Sequence, residues 1–148
     1  PIAAVISRSG VLPLDRAFFT ARDFEAVVYI SSVTPEERRR DIEATGRRCV
    51  VLPAGDEVGA MLRHMREELG ASVLLVEGGP TLNAELWRQG FVDEFFLTLG
   101  PVIVGGRETL TAVEGSSAFT RDQLPRLELV SAVPNEETSE IYLRYRRT

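Results

Sequence analysis

The 148-residue sequence contains no lysine, and all 17 of its basic residues are arginine. Within the chain, that absence excludes a Schiff-base lysine, a P-loop lysine and a lysine general acid or base. It also keeps every positive charge on at any working pH. A single cysteine, Cys49, excludes an internal disulfide and a multi-cysteine zinc site. A single histidine, His64, leaves almost nothing for a histidine-based metal centre or triad, so no metal site is expected. No apolar run approaches the roughly 18 residues of a membrane span. The start shows no basic segment followed by an apolar stretch and a small-residue cleavage site. The expectation is therefore a cytoplasmic protein without a membrane partner. A net charge of −5 and a pI near 5.0 lack the basic face that nucleic-acid binding needs.

What is present describes a globular domain. Hydrophobic residues make up 44% and charged residues 26%, and the length suits one domain spanning 1–148. The chain opens directly on the apolar run Pro1-Ile2-Ala3-Ala4-Val5-Ile6 with no methionine. That start reads as the middle of a fold and leads to the expectation of an N-terminally incomplete domain.

Residues 2–6, 26–30, 48–52 and 72–76 are short apolar runs of buried-strand type. Residues 11–25 read as irregular. Thr34-Pro35-Glu36-Glu37 predicts a helix start, with Thr34 as cap, Pro35 at the first helical position and Glu37 completing a capping box. Gly46 closes that helix. Asp56 is expected to cap a second helix, whose Val58, Met61, Leu62, Met65 and Leu69 line one face. A third helix follows Glu77-Gly78-Gly79-Pro80-Thr81 and carries Leu82, Leu86 and Trp87. Residues 93–99 predict a strand that resumes at 102–104, and residues 107–123 read as loop-rich. Residues 127–132 and 141–145 predict a closing hairpin. Strands alternating with helices imply an α/β fold with a mostly parallel sheet and an antiparallel hairpin at one edge.

The strongest chemical signal is Glu77-Gly78-Gly79-Pro80-Thr81, two glycines and a proline between a buried run and a helix. A helix N-terminus offers unpaired N–H groups and the positive end of a dipole, and glycines let a phosphate approach the backbone. The plain alternative is a tight turn with a helix cap. Glu77 could accept hydrogen bonds from sugar hydroxyls or move a proton, or simply be solvated. Ser7-Arg8-Ser9-Gly10 follows the first strand at its carboxyl end, where α/β folds bind ligands. Arg8 flanked by hydroxyls suits a 2′-phosphate, and an ordinary polar turn is the alternative. Arg38-Arg39-Arg40 beside Glu36, Glu37 and Asp41 reads as a solvated helix face. His64 reads as a surface or hydrogen-bonded residue, Cys49 as a buried inert thiol, and Gly105-Gly106 as backbone geometry.

Three blocks carry a resemblance to a known family. They are Val76-Glu77-Gly78-Gly79-Pro80-Thr81-Leu82-Asn83, Gly90-Phe91-Val92-Asp93-Glu94 and Pro101-Val102-Ile103-Val104-Gly105-Gly106. Together with Ala4-Val5-Ile6-Ser7-Arg8-Ser9-Gly10 and Ile141-Tyr142-Leu143-Arg144-Tyr145, the chain resembles the C-terminal reductase domain of RibD-type bifunctional riboflavin-biosynthesis proteins, which is dihydrofolate-reductase-like. The resemblance implies an NADPH-dependent reductase that converts the ribosyl group of a phosphorylated pyrimidine, 5-amino-6-(5-phosphoribosylamino)uracil, to ribityl. It implies that Gly78, Gly79, Pro80 and Thr81 cradle the cofactor phosphates, with a cis Gly78–Gly79 peptide. Ser7, Arg8 and Ser9 would meet the adenosine end and its 2′-phosphate. Glu77 would bind the substrate ribose near the hydride path, and two copies would pair as a homodimer. The family's domain begins with a further strand and helix bearing a Ser-Leu-Asp-Gly type segment, and nothing in this sequence matches it. The alternatives are a stand-alone relative acting on another pterin or pyrimidine, and a nucleotide-binding module without turnover.

Overall fold

Ile2–Ser7 (β1), Glu25–Ser31 (β2) and Arg48–Leu52 (β3) lie side by side in a parallel sheet ordered β1-β2-β3. The register runs from Ile2 opposite Glu25 to Ser7 opposite Ile30, and from Val27 opposite Arg48 to Ser31 opposite Leu52. The computed structural model describes residues 1–106, 109 and 111–148. These fall into two compact units, Pro1–Leu74 and Leu75–Thr148.

In the first unit, β2 is central and buried from Ala26 to Ser31. Successive strand side chains point to opposite faces, and β2 supplies both. Val27 and Tyr29 pack with Leu52, Met61 and Met65, which brings in the helix Glu57–Glu67 (α3). Val28 and Ile30 pack with Phe19 and Ile42, which brings in Ala17–Thr20 (α1) and Glu36–Ala44 (α2). The short α1 lies within the stretch whose sequence reads as irregular. A continuous apolar run is what a strand covered on both faces requires. His64 of α3 meets Tyr29 Oη through Nδ1 at 2.9 Å and Arg48 Nη2 through Nε2 at 3.1 Å, so it is hydrogen-bonded at both nitrogens. Burial pushes the half-buried Cys49 thiol upward and away from reactivity.

Several local expectations are corrected. The capping box does not form: Pro35 occupies the N-cap of α2, and the Thr34 hydroxyl instead donates to the Arg8 carbonyl at 2.8 Å. Asp56 stands at the N-cap of α3 without capping it, because its carboxylate pairs with Arg63. Arg39 and Arg40 pair with Glu43 and Glu36 one turn away, as a solvated face should. Residues 72–76 are not a strand, and Val73 is 86% exposed. Residues 102–104 likewise carry no strand, with Ile103 at 99% exposure. Both runs have strand composition, but composition supplies no ladder partner.

The second unit holds the helix Pro80–Arg88 (α4) and the strands Glu94–Leu99 (β4), Leu127–Asn135 (β5) and Glu140–Arg147 (β6). They form an antiparallel sheet ordered β4-β6-β5. β5 and β6 are the expected hairpin, with Pro134 on an edge strand, where a missing donor is tolerated. Trp87 of α4 meets Phe95 of β4 edge-on, with centroids 5.9 Å apart. Arg144 of β6 grips Glu94 of β4 through two hydrogen bonds of 2.9 and 2.7 Å. The α/β class holds, with six strands among the described residues divided equally between a parallel and an antiparallel sheet.

The two-sided burial of β2 has a measurable weight. Ile42→Ala should lower unfolding stability by about 3 kcal/mol, because Ile42 is wholly buried against β2. Val33→Ala, at a 62% exposed position, should change stability by less than about 0.5 kcal/mol. Urea unfolding midpoints of the two variants check this contrast.

Candidate functional site

At the carboxyl ends of the parallel strands, three loops converge on one carboxylate. Ser7 ends β1, and its Oγ accepts the Gly10 N–H at 3.1 Å. Ser9 Oγ accepts the Val11 N–H at 3.2 Å. Both hydroxyls shape the loop while keeping their own protons as donors. Gly10 has φ +71°, and a Cβ there would lie 2.6 Å from Thr34 Cγ2, so only glycine fits this turn. Between the two serines, Arg8 extends its guanidinium to Glu57 at the start of α3. Arg8 Nε donates to Oε1 at 2.9 Å and Nη2 to Oε2 at 3.1 Å. Ser31, ending β2, donates to Oε1 at 2.9 Å, and the Gly55 N–H, following β3, donates to Oε2 at 3.0 Å.

Each Glu57 oxygen therefore accepts two hydrogen bonds, which fills a carboxylate's four acceptor positions. The Arg8 hydrogen bonds are the largest cause of a Glu57 pKa lowered from 4.5 to about 2, assisted by backbone N–H groups and Ser31 and opposed by burial. The Glu57 side chain is 12% exposed and that of Arg8 71% exposed, so the carboxylate is sheltered and the guanidinium faces outward. The sequence singles out Arg8 but not Glu57. The two lie 49 residues apart, and the only local signal is an acidic residue after a strand and a Gly-Asp turn.

In the second unit, the glycine turn has a sharp local geometry. The Gly78–Gly79 peptide is cis, as the resemblance implies, and Gly78 has φ +107°. Gly79 is the N-cap of α4 and its carbonyl accepts the Asn83 N–H at 3.0 Å. Pro80 opens the helix where a missing N–H costs nothing. A Cβ built on either glycine would meet no atom within 4 Å, so the turn borders open space at the helix's positive end. The N–H groups of Thr81 and Leu82 lie in the first turn, where no helical carbonyl can reach them. Behind the turn, Asn83 Nδ2 donates to the Ala112 carbonyl at 2.9 Å, and the Glu114 N–H donates to that of Pro80 at 3.0 Å. Glu77 is exposed and makes no hydrogen bond or ion pair among the described residues. A separate cavity of about 560 Å³ lies further along α4. Trp87, Phe95 and Phe119 line it, and residues 77–81 do not.

The structure thus groups Ser7, Arg8 and Ser9 in the first unit and Glu77, Gly78, Gly79, Pro80 and Thr81 in the second. Loops at strand carboxyl ends are where α/β folds commonly receive ligands, and a glycine turn opening a helix is a general anion-binding geometry. Comparison with known proteins narrows the class. The profile of the RibD C-terminal domain matches residues 1–137, and the chain belongs to that family. Two curated relatives are each named 2,5-diamino-6-ribosylamino-4(3H)-pyrimidinone 5′-phosphate reductase. The protein from Archaeoglobus fulgidus is 28% identical over 130 residues, covering 88% of this chain and 58% of the relative. The protein from Aquifex aeolicus is 30% identical over 133 residues, with the same 88% and 58% coverage. A solved pyrimidine reductase-like protein from Corynebacterium diphtheriae shares the fold at a TM-score of 0.83 and 20% identity, covering 100% of this chain and 61% of that one. The chain spans 58% of the length of these curated relatives.

The Glu57 cluster has a definite pH signature. The carboxyl titrates at about 2 when folded against 4.5 ordinarily, so its stabilisation is complete above pH 4.5 and disappears as pH falls toward 2. Glu57→Gln should therefore destabilise the protein near neutrality, with the deficit shrinking below about pH 4. Urea midpoints of both proteins at about pH 6, pH 4.5 and pH 3 measure it.

Proposed function

We propose that this chain forms the reductase portion of an enzyme that uses NADPH to reduce the ribosyl group of a phosphorylated ribosylaminopyrimidine to ribityl. The observation that carries the reading is the Gly78–Gly79 turn, which leaves open space at the N-terminus of α4. Membership of the RibD C-terminal domain family and the names of the curated relatives support it. Those relatives act on a diaminopyrimidinone phosphate, whereas the bifunctional proteins act on the corresponding uracil. The two differ at one ring substituent and share the sugar that is reduced.

Each unit carries groups suited to one part of a dinucleotide. Thr81 and Leu82 supply backbone donors for a pyrophosphate, the helix dipole favours its charge, and the bare glycines let it approach. Ser7, Arg8 and Ser9 supply two hydroxyls and a permanent cation for the adenosine end and its 2′-phosphate. Glu77 accepts hydrogen bonds from the ribose hydroxyls of the substrate and holds the sugar in line. When bound, NADPH supplies the hydride, so the protein's task is chiefly orientation. The same reading takes the protein as a cytoplasmic homodimer. None of the described helices is long and apolar enough to cross a membrane.

Two variants test this reading. Glu77→Gln should lower turnover of the ribosylaminopyrimidine phosphate about 10- to 100-fold while NADPH affinity stays within about twofold. Equal turnover by variant and parent removes Glu77 from the reaction. Arg8→Ala should weaken NADPH about five- to tenfold more than NADH. Titration on the fluorescence of Trp87, the sole tryptophan and a residue of α4, gives both affinities. Comparing the pyrimidinone and uracil substrates at steady state identifies the ring preferred.

A further inference from the structure

The cation proposed to meet the 2′-phosphate has a carboxylate against it. Arg8 presents its Nε–Nη2 edge to Glu57 through bonds of 2.9 and 3.1 Å. That is the two-pronged geometry in which a guanidinium would otherwise grip a phosphate. A 2′-phosphate must therefore meet Arg8 from another edge or displace Glu57. In either arrangement it experiences a guanidinium whose charge is largely offset by a carboxylate within hydrogen-bonding distance. Displacing Glu57 is unfavourable, because Ser31 Oγ at 2.9 Å and the Gly55 N–H at 3.0 Å hold it in place. Ser31 ends β2 and Gly55 stands in the turn between β3 and α3, so the carboxylate, itself in the first turn of α3, is held from two directions. With all four acceptor positions filled, Glu57 also has no lone pair left to bind a ribose 2′-hydroxyl directly. Its effect on a dinucleotide passes through Arg8.

We propose that Glu57 is a positioning residue that sets the cofactor preference of this protein, tempering the grip of Arg8 on a 2′-phosphate so that NADPH and NADH are both accepted. This rests on the proposed function, in which Arg8 faces the adenosine end of the dinucleotide. The strength of one ion pair decides the size of the effect. A charge-assisted pair in a partly exposed site is worth on the order of a factor of three to ten in affinity. NADH lacks the 2′-phosphate, so its binding is insensitive to the charge on residue 57.

The test is calorimetric titration of the intact protein and its Glu57→Gln variant with NADPH and with NADH. The variant should bind NADPH about three- to tenfold more tightly, with NADH affinity unchanged and a steeper loss of NADPH affinity in salt. Adding Arg8→Ala to Glu57→Gln should abolish the gain. A variant in which both affinities move together, or neither moves, overturns the proposal and leaves Glu57 a structural residue. Should Glu57→Gln fail to fold, the unaltered protein decides. A preference for NADPH below about tenfold supports the proposal, and a larger one overturns it. Binding of neither dinucleotide by the unaltered protein overturns the proposed function, and this inference with it.

Discussion

Burial of β2 on both faces is the constraint from which the first unit follows. A strand covered by Met61 and Met65 on one side and Ile42 and Phe19 on the other must lie between two layers of helix. Its parallel neighbours then end at the same edge. Ser7, Ser31 and the turn holding Gly55 reach one place because their strands run the same way in fixed register. A slip of one residue would turn Val28 and Ile30 out of their cluster and carry Ser31 off the carboxylate it binds.

That shared edge gathers charge without burying it unpaired. Glu57 is sheltered but meets four donors, and Arg8 remains in contact with water. The desolvation that would penalise an isolated carboxylate is offset by hydrogen bonds from every neighbouring loop. The cost is borne where the cation is concerned, since its field outside the protein is weakened by its own partner. In the second unit the means are different. The glycine turn presents backbone donors and a helix dipole, and among the described residues no side chain caps them.

Much of this was legible in the residues themselves. The runs forming β1, β2 and β3, the amphipathic spacing of α3 and the two runs of the β5–β6 hairpin each encode a local geometry. The glycine block marked the start of α4, and the family resemblance implied its cis peptide. What the sequence left hidden depends on partners far along the chain. Residues 72–76 and 102–104 have the apolar content of strands but find no ladder among the described residues. Thr34 has the right spacing for a cap, yet the helix begins one residue later, with Pro35 at the N-cap, and the Thr34 hydroxyl donates to the Arg8 carbonyl. Glu57 looks like an ordinary first-turn acid until the fold brings Arg8 and Ser31 to it.

The arginines do a second job besides carrying charge. Arg22 donates to the Thr45 carbonyl, Arg47 to those of Ala21 and Phe24, Arg88 to Ser117 and Arg147 to Gly90. Each ties a loop through a planar fork to backbone oxygens, contacts that a lysine's single ammonium would not reproduce in number or direction. Because these 148 residues contain no lysine, none of the ties can be undone by acetylation, ubiquitin attachment or any reagent that seeks a side-chain amine. Amine-directed labels and cross-linkers would find no side chain to modify here, so arginine- or carboxyl-directed chemistry is the route to mapping its surface.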